Sequence, residues 1–456
     1  MQESIVEILK KEILSFYNQP TQVTQEVSPQ TVRGHLSQYD FAQPLDLEAL
    51  LQDVMYMMRN WNIQISNPLY FGLFNPAPTF ASVIAESLVA LYNPQMAAWS
   101  HAPAANEIEQ HTLKFIAQKI GYKPTSTFGN FTSGGSEANH TGVLVALAHH
   151  FPGYLDKGMW ALKNQPVFYV SELAHNSFDK IAKHTGLGMN ALRIVPTNSL
   201  LKMDMMALAT MVNADKKAGY APFMVVGTAG ITSTGTIDPL DEIASFCEQE
   251  QLWFHVDAAW AGAAVFSPTL KVSMKGIEKA DSATVDAHKW FNLSLAAGMF
   301  FTKHQEVVRQ TFSVRADYMP KSHDDVIIPY SNTLQWTRRC LGLKLFMTLA
   351  EMGEENFGKQ LDYQAFLGDY FRKKLSQNGW KIVNETPLPV VNFTHPVFES
   401  GQSQVDEVLS QLYEAGRVWL SSVTIAERKV FRMCVTNFKT TETEVDVLFD
   451  NLQQLI

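Results

Sequence analysis

The stretch SATVDAHKWFNLS, residues 282–294, begins as an apolar and β-branched run and becomes polar at Asp286. Its first five residues are typical of a buried strand, and the polar turn that follows places His288 and Lys289 directly after the carboxyl end of that strand. In open sheets covered by helices, ligands bind beyond the carboxyl ends of the strands. The stretch therefore predicts a core strand that presents an imidazole and an amine to a binding site.

Short apolar runs of this kind alternate with amphipathic runs from about Phe115 to Lys303. The apolar runs are typical of strands, and the amphipathic runs have the spacing of helices. Such an alternation predicts an α/β fold, in which helices cover both faces of a largely parallel sheet. The predicted strands include PVFYVS, LRIVPT, PFMVVGTAG, LWFHVDA, SATVDAH and GMFFTK.

We predict three parts along the chain. Residues 1–100 form a helical, aromatic-rich segment, residues 101–345 form a large α/β domain, and residues 346–456 form a small α+β domain. The small domain contains the runs RVWLSS and FRMCV and ends in the helical pattern TETEVDVLFDNLQQL. A chain of 456 residues, 46% of them hydrophobic, is long enough for a large core and a second, smaller one.

The composition limits the partners of the protein. The net charge is −9, and the basic residues form no cluster that could hold a nucleic-acid backbone. The N-terminal apolar residues have helical spacing with charges between them, unlike a signal peptide, and no apolar run reaches membrane-spanning length. The three cysteines are far apart and form no metal-binding pair. We therefore expect a cytoplasmic globular protein with reduced thiols, without a metal site, nucleic-acid partner or membrane anchor.

A glycine turn opens a predicted helix in NFTSGGSEANHTG, residues 130–142. The N–H groups and the dipole of a helix N-terminus attract anions, so the turn from Ser133 to Ser136 is a candidate phosphate site. It lacks the lysine of a nucleotide P-loop and the three-glycine spacing of a dinucleotide site. Taken alone, such a turn is more often an ordinary helix start.

Three further polar side chains follow predicted strands, and each could instead have a purely structural role. Asp257 ends the strand in LWFHVDAAWAG, where a buried carboxylate needs a partner and could equally belong to an ion pair. Lys289 is either a nucleophilic amine or a side chain that extends to solvent. His175 in SELAHNSF precedes Ser177, which we predict to cap the next helix, so His175 alone favours a structural role.

Together the turn, the carboxylate, the amine and the imidazole meet the requirements of pyridoxal phosphate. The turn would bind the phosphate, Lys289 would form a Schiff base with the aldehyde, and Asp257 would keep the ring nitrogen protonated. His175 would stack on the ring, and His288 would contact the phosphate or the substrate. The combination indicates a pyridoxal-phosphate enzyme more strongly than any of its parts.

The same residues lie in motifs that resemble those of the pyridoxal-phosphate-dependent group II amino-acid decarboxylases. The likeness extends from about Asn67 to the C-terminus and rests on HVDAA, HKW and AHNS. It implies that Asp257 binds the pyridine nitrogen, that Lys289 bonds to the cofactor and that His175 stacks on it.

The resemblance also implies a catalytic loop and a set of cofactor contacts. The loop is ADYMPKSH, in which Tyr318 matches the loop tyrosine of the aromatic-acid members. Tyr318 favours an amine product, because the aldehyde-forming relatives typically carry phenylalanine there. The implied cofactor contacts are Ser133, Gly134, Gly135, Ser136, His175, Thr232, Asp257, Ala259, His288 and Lys289.

For the fold, the resemblance implies the pyridoxal-phosphate-dependent transferase fold type I. This fold has a large domain with a mostly parallel seven-stranded sheet and a small C-terminal α+β domain. The resemblance also implies a homodimer with the active site at the subunit interface. The N-terminal segment would pack on the partner subunit, which suits its apolar loop YFGLF.

The predicted activity is decarboxylation of an L-amino acid to its amine and CO2, with an aromatic amino acid as one candidate substrate. Phe71, Phe74 and Trp99 would line an apolar substrate pocket or else serve only as core. Ala97 stands where the animal aromatic-acid enzymes carry phenylalanine, which counts against an aromatic substrate; the alternative is a substrate of the glutamate, diaminobutyrate or cysteine sulfinate type. The fold would also suit an aldehyde-forming relative or a catalytically silent binding protein.

Overall fold

The computed structural model describes residues 2–18, 22–24, 27–75, 77–125, 127–314, 326–398 and 403–456. By its internal contacts the chain divides into two compact units. The smaller unit combines Met1–Ala77 with Leu367–Val383 and Val391–Ile456, and the larger unit comprises Pro78–Phe366 and Asn384–Val390. The three-part division at residues 100 and 345 stays a prediction.

Helices occur throughout the described residues. In chain order they are α1 (Gln2–Asn18), α2 (Pro29–Leu36), α3 (Leu47–Asn60), α4 (Phe80–Tyr92), α5 (Pro103–Ile120), α6 (Gly135–His150), α7 (Tyr154–Lys157), α8 (Ser177–His184), α9 (Met205–Lys217), α10 (Leu240–Glu250), α11 (Gln305–Phe312), α12 (Gly342–Met352), α13 (Glu354–Gln377), α14 (Ser403–Glu414) and α15 (Glu442–Gln453). Several begin at caps that the sequence supplies. Asp204 accepts hydrogen bonds from two N–H groups at the start of α9, and Thr441 and Glu444 form a capping box at the start of α15.

The larger unit is built on one sheet. Its strands are β1 (Phe128–Thr132), β2 (Pro166–Ser171), β3 (Leu192–Val195), β4 (Ala221–Thr228), β5 (Trp253–Asp257), β6 (Ser282–Asp286) and β7 (Gly298–Thr302). They are arranged in the order β1-β7-β6-β5-β4-β2-β3. Strand β7 is antiparallel to both of its neighbours, and the other six strands run in one direction. This confirms the predicted α/β fold with a large, mostly parallel seven-stranded sheet.

Strand β6 lies in the interior of this sheet, between β5 and β7. All five of its residues are buried. A strand buried on both faces needs a continuous apolar or small-residue run rather than alternation, which explains the pattern SATVD. The core around the sheet is rich in aromatic side chains, including Phe128, Phe168, Phe223, Trp253 and Phe300.

The smaller unit contains a second sheet. Its strands are β8 (Lys381–Ile382), β9 (Val390–Thr394), β10 (Ser421–Ile425) and β11 (Arg428–Cys434), in the order β10-β11-β9-β8. Trp380, Phe393 and Phe431 pack together in its core. The predicted small C-terminal α+β domain is confirmed. A segment from near the N-terminus also joins this unit, since the backbone N–H of Phe71 donates to the carbonyl of Trp419 at 2.8 Å.

No helix within the described ranges is long and apolar enough to cross a membrane. Among the same residues, no group of three or more His, Cys, Asp or Glu side chains could hold a metal ion. Cys247, Cys340 and Cys434 are buried free thiols.

Candidate active site

Most of the predicted site residues follow strands at one edge of the seven-stranded sheet. The turn at Gly134 follows β1, His175 follows β2, Thr232 follows β4, and Asp257 and Lys289 lie at the ends of β5 and β6. Because these five strands run in the same direction, their carboxyl ends share one edge. The structure thus brings these residues to a common edge.

Asp257 is the last residue of β5 and is almost fully buried. The side-chain amide of Asn139 donates to its Oδ2 atom at 2.8 Å, and the backbone N–H of Ala259 donates to its Oδ1 atom at 3.1 Å. In the described part of the chain, neutral donors rather than a cation hold this carboxylate. Its negative charge therefore stays available to a bound group.

A second layer of hydrogen bonds fixes Asn139. Its Oδ1 atom lies 3.0 Å from Nε2 of His255, and Nδ1 of His255 lies 2.8 Å from the Ser282 hydroxyl. Burial lowers the pKa of His255 to about 4, so this imidazole is neutral at physiological pH. Asn139 and His255 thus orient Asp257, although the motifs identify neither role. The available signal is the two-residue period of β5, which puts His255 and Asp257 on the same face.

Lys289 follows β6 and keeps 20% of its side chain exposed. Its Nζ atom lies 3.0 Å from Oδ2 of Asp286, whose side chain is only 2% exposed. The other Asp286 oxygen, Oδ1, has no hydrogen-bond partner among the described residues. Asp286 belongs to the stretch that predicts the strand, but the motifs give it no role.

His288 contacts Asp286 and approaches the glycine turn. Its Nε2 atom is 3.8 Å from Oδ2 of Asp286, and its Nδ1 atom is 3.0 Å from both the backbone nitrogen and the carbonyl oxygen of Ala297. A methyl group on Gly134 would lie 3.5 Å from Cε1 of His288. Burial lowers the pKa of His288, which favours the neutral ring.

Close backbone approach at the turn requires glycine. A Cβ atom on Gly135, the first residue of α6, would lie 2.7 Å from Oδ2 of Asp286. A Cβ atom on Gly298, at the start of β7, would lie 2.5 Å from both the carbonyl carbon of Gly134 and Oγ1 of Thr132. Glycine at these positions leaves room for the Asp286 carboxylate and the Thr132 hydroxyl beside the turn, and the first-turn N–H groups of α6 are donors that an anion could bind.

The two serines of the turn are both exposed. The backbone N–H and the hydroxyl of Ser133 donate to Oε2 of Glu137 at 2.8 and 2.6 Å. The side-chain amide of Gln335 donates to the same oxygen at 2.6 Å. Glu137 therefore shapes the turn, and it is a further residue that the motifs do not identify. Ser136 lies in the first turn of α6.

His175 is exposed in the segment between β2 and α8. Its Nδ1 atom accepts a hydrogen bond from the backbone N–H of Ser177 at 3.1 Å. The prediction that Ser177 caps the following helix is wrong, because α8 begins at Ser177 and its N-cap is Asn176, without a side-chain capping bond. The His175 ring instead binds a first-turn N–H that the helix leaves unsatisfied. The stacking role of His175 stays a prediction.

Thr232 and Ala259 are the remaining predicted cofactor contacts. Thr232 is exposed in the segment after β4, and Ala259 is half-buried directly after β5. The carbonyl oxygen of Ala259 accepts a hydrogen bond from the backbone N–H of Asp286 at 2.8 Å. A Cβ atom on Gly135 would lie 3.2 Å from the Ala259 Cβ atom, so Ala259 packs against both β6 and the glycine turn.

The predicted pocket residues are distributed over both compact units. In the smaller unit, Phe71 is part of the aromatic core, and Phe74 lies under the guanidinium of Arg432 at 4.8 Å from its ring centre. In the larger unit, the half-buried Trp99 donates from its indole N–H to Glu107 at 2.7 Å. Their role in a substrate pocket stays a prediction. The loop tyrosine Tyr318 lies outside the described residues.

The groups at the sheet edge fit pyridoxal phosphate. That molecule needs an amine for its aldehyde, an acid for its ring nitrogen and N–H donors for its phosphate. Lys289 provides the amine, Asp257 provides the acid, and the turn at Gly134 provides the N–H donors at the start of α6. The individual contacts stay predictions.

Comparisons with known proteins agree with this chemistry. A family model described as the pyridoxal-dependent decarboxylase conserved domain matches residues 29–395. The chain is 26% identical to the aromatic-L-amino-acid decarboxylase of Bacillus atrophaeus over 93% of this chain and 88% of that protein. It is 29% identical to the L-2,4-diaminobutyrate decarboxylase of Acinetobacter baumannii over 93% of this chain and 86% of that protein. The crystal structure of mouse CSAD shares the fold, with a TM-score of 0.91, 23% identity and coverage of 99% of this chain and 98% of the mouse chain.

Proposed function

Because the chain belongs to the pyridoxal-dependent decarboxylase family, we propose that it removes the α-carboxylate of an L-amino acid as CO2 and releases the amine. Pyridoxal phosphate is its cofactor. One observation supports this site above all. Asp257 and Lys289 lie at the carboxyl ends of β5 and β6, which are neighbouring parallel strands. A buried carboxylate and an amine at adjacent strand ends are the two groups that this chemistry requires.

When bound, pyridoxal phosphate supplies an electron sink for the pair of electrons that the carboxylate leaves behind. Asp257 holds a proton on the ring nitrogen, and the resulting charge stabilises the transition state. Asn139 and the Ala259 N–H keep both carboxylate oxygens of Asp257 in place for this task. Lys289 would provide the amine that holds the cofactor.

The other predicted contacts hold the cofactor in place. The N–H groups at the start of α6, with Ser136 and His288, bind the phosphate, and Thr232 lies near the cofactor. His175 would stack on the cofactor ring. The exposed ring of His175 and its bond to the Ser177 N–H support this role, because they fix the orientation of an otherwise accessible imidazole.

The activity is tested by measuring CO2 and amine together. We expect the yellow, cofactor-loaded protein to release equal amounts of both from at least one natural L-amino acid or from 3,4-dihydroxyphenylalanine, diaminobutyrate or cysteine sulfinate. If a yellow protein released no CO2 from any of these compounds, the proposed function would be wrong.

Two substrate classes are proposed for this panel. Ala97 is buried and stands where the resemblance places a phenylalanine of the aromatic-acid enzymes, which supports a non-aromatic amino acid. The aromatic-L-amino-acid decarboxylase among the relatives supports an aromatic amino acid instead. One methylene changes pocket binding by only about 1–3 kcal/mol, so the ratio of kcat/KM values across the panel is the decisive quantity.

Tyr318→Phe is expected to change the product rather than stop the reaction. In the proposed mechanism Tyr318 donates the proton to Cα after CO2 has left, and phenylalanine fills the same volume without a proton to donate. We then expect CO2 release to persist with less amine, and with aldehyde, ammonia and hydrogen peroxide in its place, as one dioxygen and one water are consumed per turnover. CO2, amine and peroxide are measured in the same sample.

The matched control for this variant is Tyr330→Phe, which removes a hydroxyl from the described segment that follows the loop. It should keep the amine-to-CO2 ratio of the unchanged protein. An unchanged ratio in Tyr318→Phe as well would remove Tyr318 from the mechanism and leave His175 and His288 as candidate proton donors.

We also propose that the enzyme is a homodimer with its active site at the subunit interface, and that it works in the cytoplasm. Exposed apolar side chains on the N-terminal helices support a partner subunit, among them Val6 on α1 and Met58 on α3. Three free buried thiols suit a reducing compartment. A single-chain mass in sedimentation velocity at micromolar concentration would contradict the dimer.

A further inference from the structure

Asp286 has an unusual environment for a buried carboxylate. Its Oδ2 atom pairs with Nζ of Lys289 at 3.0 Å, while its Oδ1 atom has no hydrogen-bond partner within the described ranges. A buried carboxylate oxygen without a donor is costly unless another state of the protein supplies one. The carboxylate also packs against Gly135, where a Cβ atom would lie 2.7 Å from Oδ2. It therefore lies beside the turn that is proposed to bind a phosphate.

A buried carboxylate and an anion beside it need compensating positive charge. Lys289 compensates only one of the two negative groups, because its Nζ atom is already paired with Oδ2 of Asp286. His288 is the second candidate, since its Nε2 atom is 3.8 Å from Oδ2 of Asp286 and its ring edge faces Gly134. Burial keeps the pKa of His288 low, and the nearby charge of Asp286 opposes that effect. A dianion at the turn would oppose it further.

We propose that Asp286 is a positioning residue that couples phosphate binding to the uptake of a proton. It holds His288 as an imidazolium between its own carboxylate and an anion at the turn of Gly134 and Gly135. The inference rests on the proposed function, because that function places a phosphate at this turn. His288 takes one proton from solvent as the anion binds. Its Nδ1 atom stays against the backbone of Ala297, so the ring keeps its orientation.

Other charged groups near His288 also affect its pKa or lie beside the turn. The positive charges of Lys289 and Lys344 lower the pKa of His288, in opposition to Asp286. Asp257 lies at the end of the neighbouring strand β5, and Glu137 is bound to Ser133 and Gln335 on the outer side of the turn. Because the anion-bound state holds one more proton than the free state, anion affinity must fall as pH rises.

Sulfate is the suitable probe, because it is a dianion that does not itself titrate near neutral pH. The full-length protein, freed of cofactor, is titrated with sulfate by calorimetry at pH 7.5 in two buffers of different ionisation enthalpy. The difference in heat gives the number of protons taken up. We expect about one proton per sulfate, and an affinity that falls up to about tenfold per pH unit above neutrality.

Asp286→Asn keeps the shape of the side chain and removes its charge. It should lower the uptake to less than about half a proton and flatten the pH dependence of sulfate affinity. His288→Gln should abolish the uptake. Asp281→Asn is the matched control, because it removes a carboxylate that directly precedes the same strand, and it should behave as the unchanged protein.

Two results would overturn the inference: no proton uptake with sulfate in the unchanged protein, or full uptake in Asp286→Asn. If Asp286→Asn does not fold, the pH dependence of sulfate affinity is compared between the unchanged protein and His288→Gln. The inference requires that the two slopes differ, and equal slopes overturn it. Failure of this inference can be distinguished from failure of the proposed function. A yellow, active decarboxylase without proton uptake contradicts only the inference, whereas a protein that never becomes yellow contradicts the proposed function.

Discussion

Lys289→Ala should give a protein that stays colourless with pyridoxal phosphate and releases CO2 at least about 10³-fold more slowly than the unchanged protein. The amine at the end of β6 is the proposed point of attachment, and alanine offers no replacement for it. The same change leaves the buried carboxylate of Asp286 without its ion-pair partner, which weakens the fold. Lys289→Arg separates the two effects, because arginine keeps a positive charge beside Asp286 but cannot attach the cofactor.

The matched control is Lys303→Ala. Lys303 directly follows β7, which runs antiparallel to β6, so it lies at the opposite edge of the sheet. This variant should remain yellow and active. Borohydride reduction and peptide mapping of the unchanged protein give the direct test of attachment. A pyridoxyl label on a lysine other than Lys289, or a yellow Lys289→Arg, would show that the site is wrongly assigned.

Asp257→Asn should retain the fold and bind the cofactor, yet lose about 10²- to 10³-fold in kcat, the usual effect of removing one preorganised electrostatic interaction. Asparagine has the shape of aspartate, and its one amide oxygen can accept the hydrogen bond from Asn139 or the one from the Ala259 N–H, so the strand end keeps its shape but loses one of the two bonds. It carries no charge, and the ring nitrogen then loses its proton easily. The loss should fall on kcat more than on KM, because the charge matters in the transition state.

Near-normal kcat in a well-folded Asp257→Asn would rule out this role for the carboxylate. Circular dichroism and thermal unfolding establish the fold of the variant. Asp281→Asn serves again as the control, because it removes a carboxylate from the other edge of the sheet and should leave kcat unchanged.

The sequence predicts the fold and the groups on the strand ends because both depend on local patterns. The apolar run of β6 is continuous because the strand is buried on both faces, and its polar end marks Lys289. The same reasoning finds Asp257 at the end of β5. The sheet order is a different matter, since β7 pairs with β6, the strand before it in the chain, and also with β1, which belongs to a distant part of the chain. No local pattern records that pairing.

The residues that support the site are harder to predict for the same reason. Asn139 binds Asp257 across 118 positions of sequence, and Gln335 binds Glu137 across 198. Neither residue type is unusual in its local context, so only the folded chain shows the contact. Asp286 can be predicted from the sequence only in part. Its position at a strand end is evident from sequence, but its unpaired oxygen and its closeness to Gly135 are not.

The hydrogen-bond chain from Asp257 through Asn139 to His255 has a consequence for how this enzyme responds to acidity. Each link beyond the carboxylate is a neutral group, and His255, with a pKa of about 4, gains no proton under mildly acidic conditions. The residues that hold Asp257 thus keep the same charge from weak acid to weak base. An inflection of the rate between these limits would therefore arise from other groups, such as His288, the proton donor to Cα or the substrate itself.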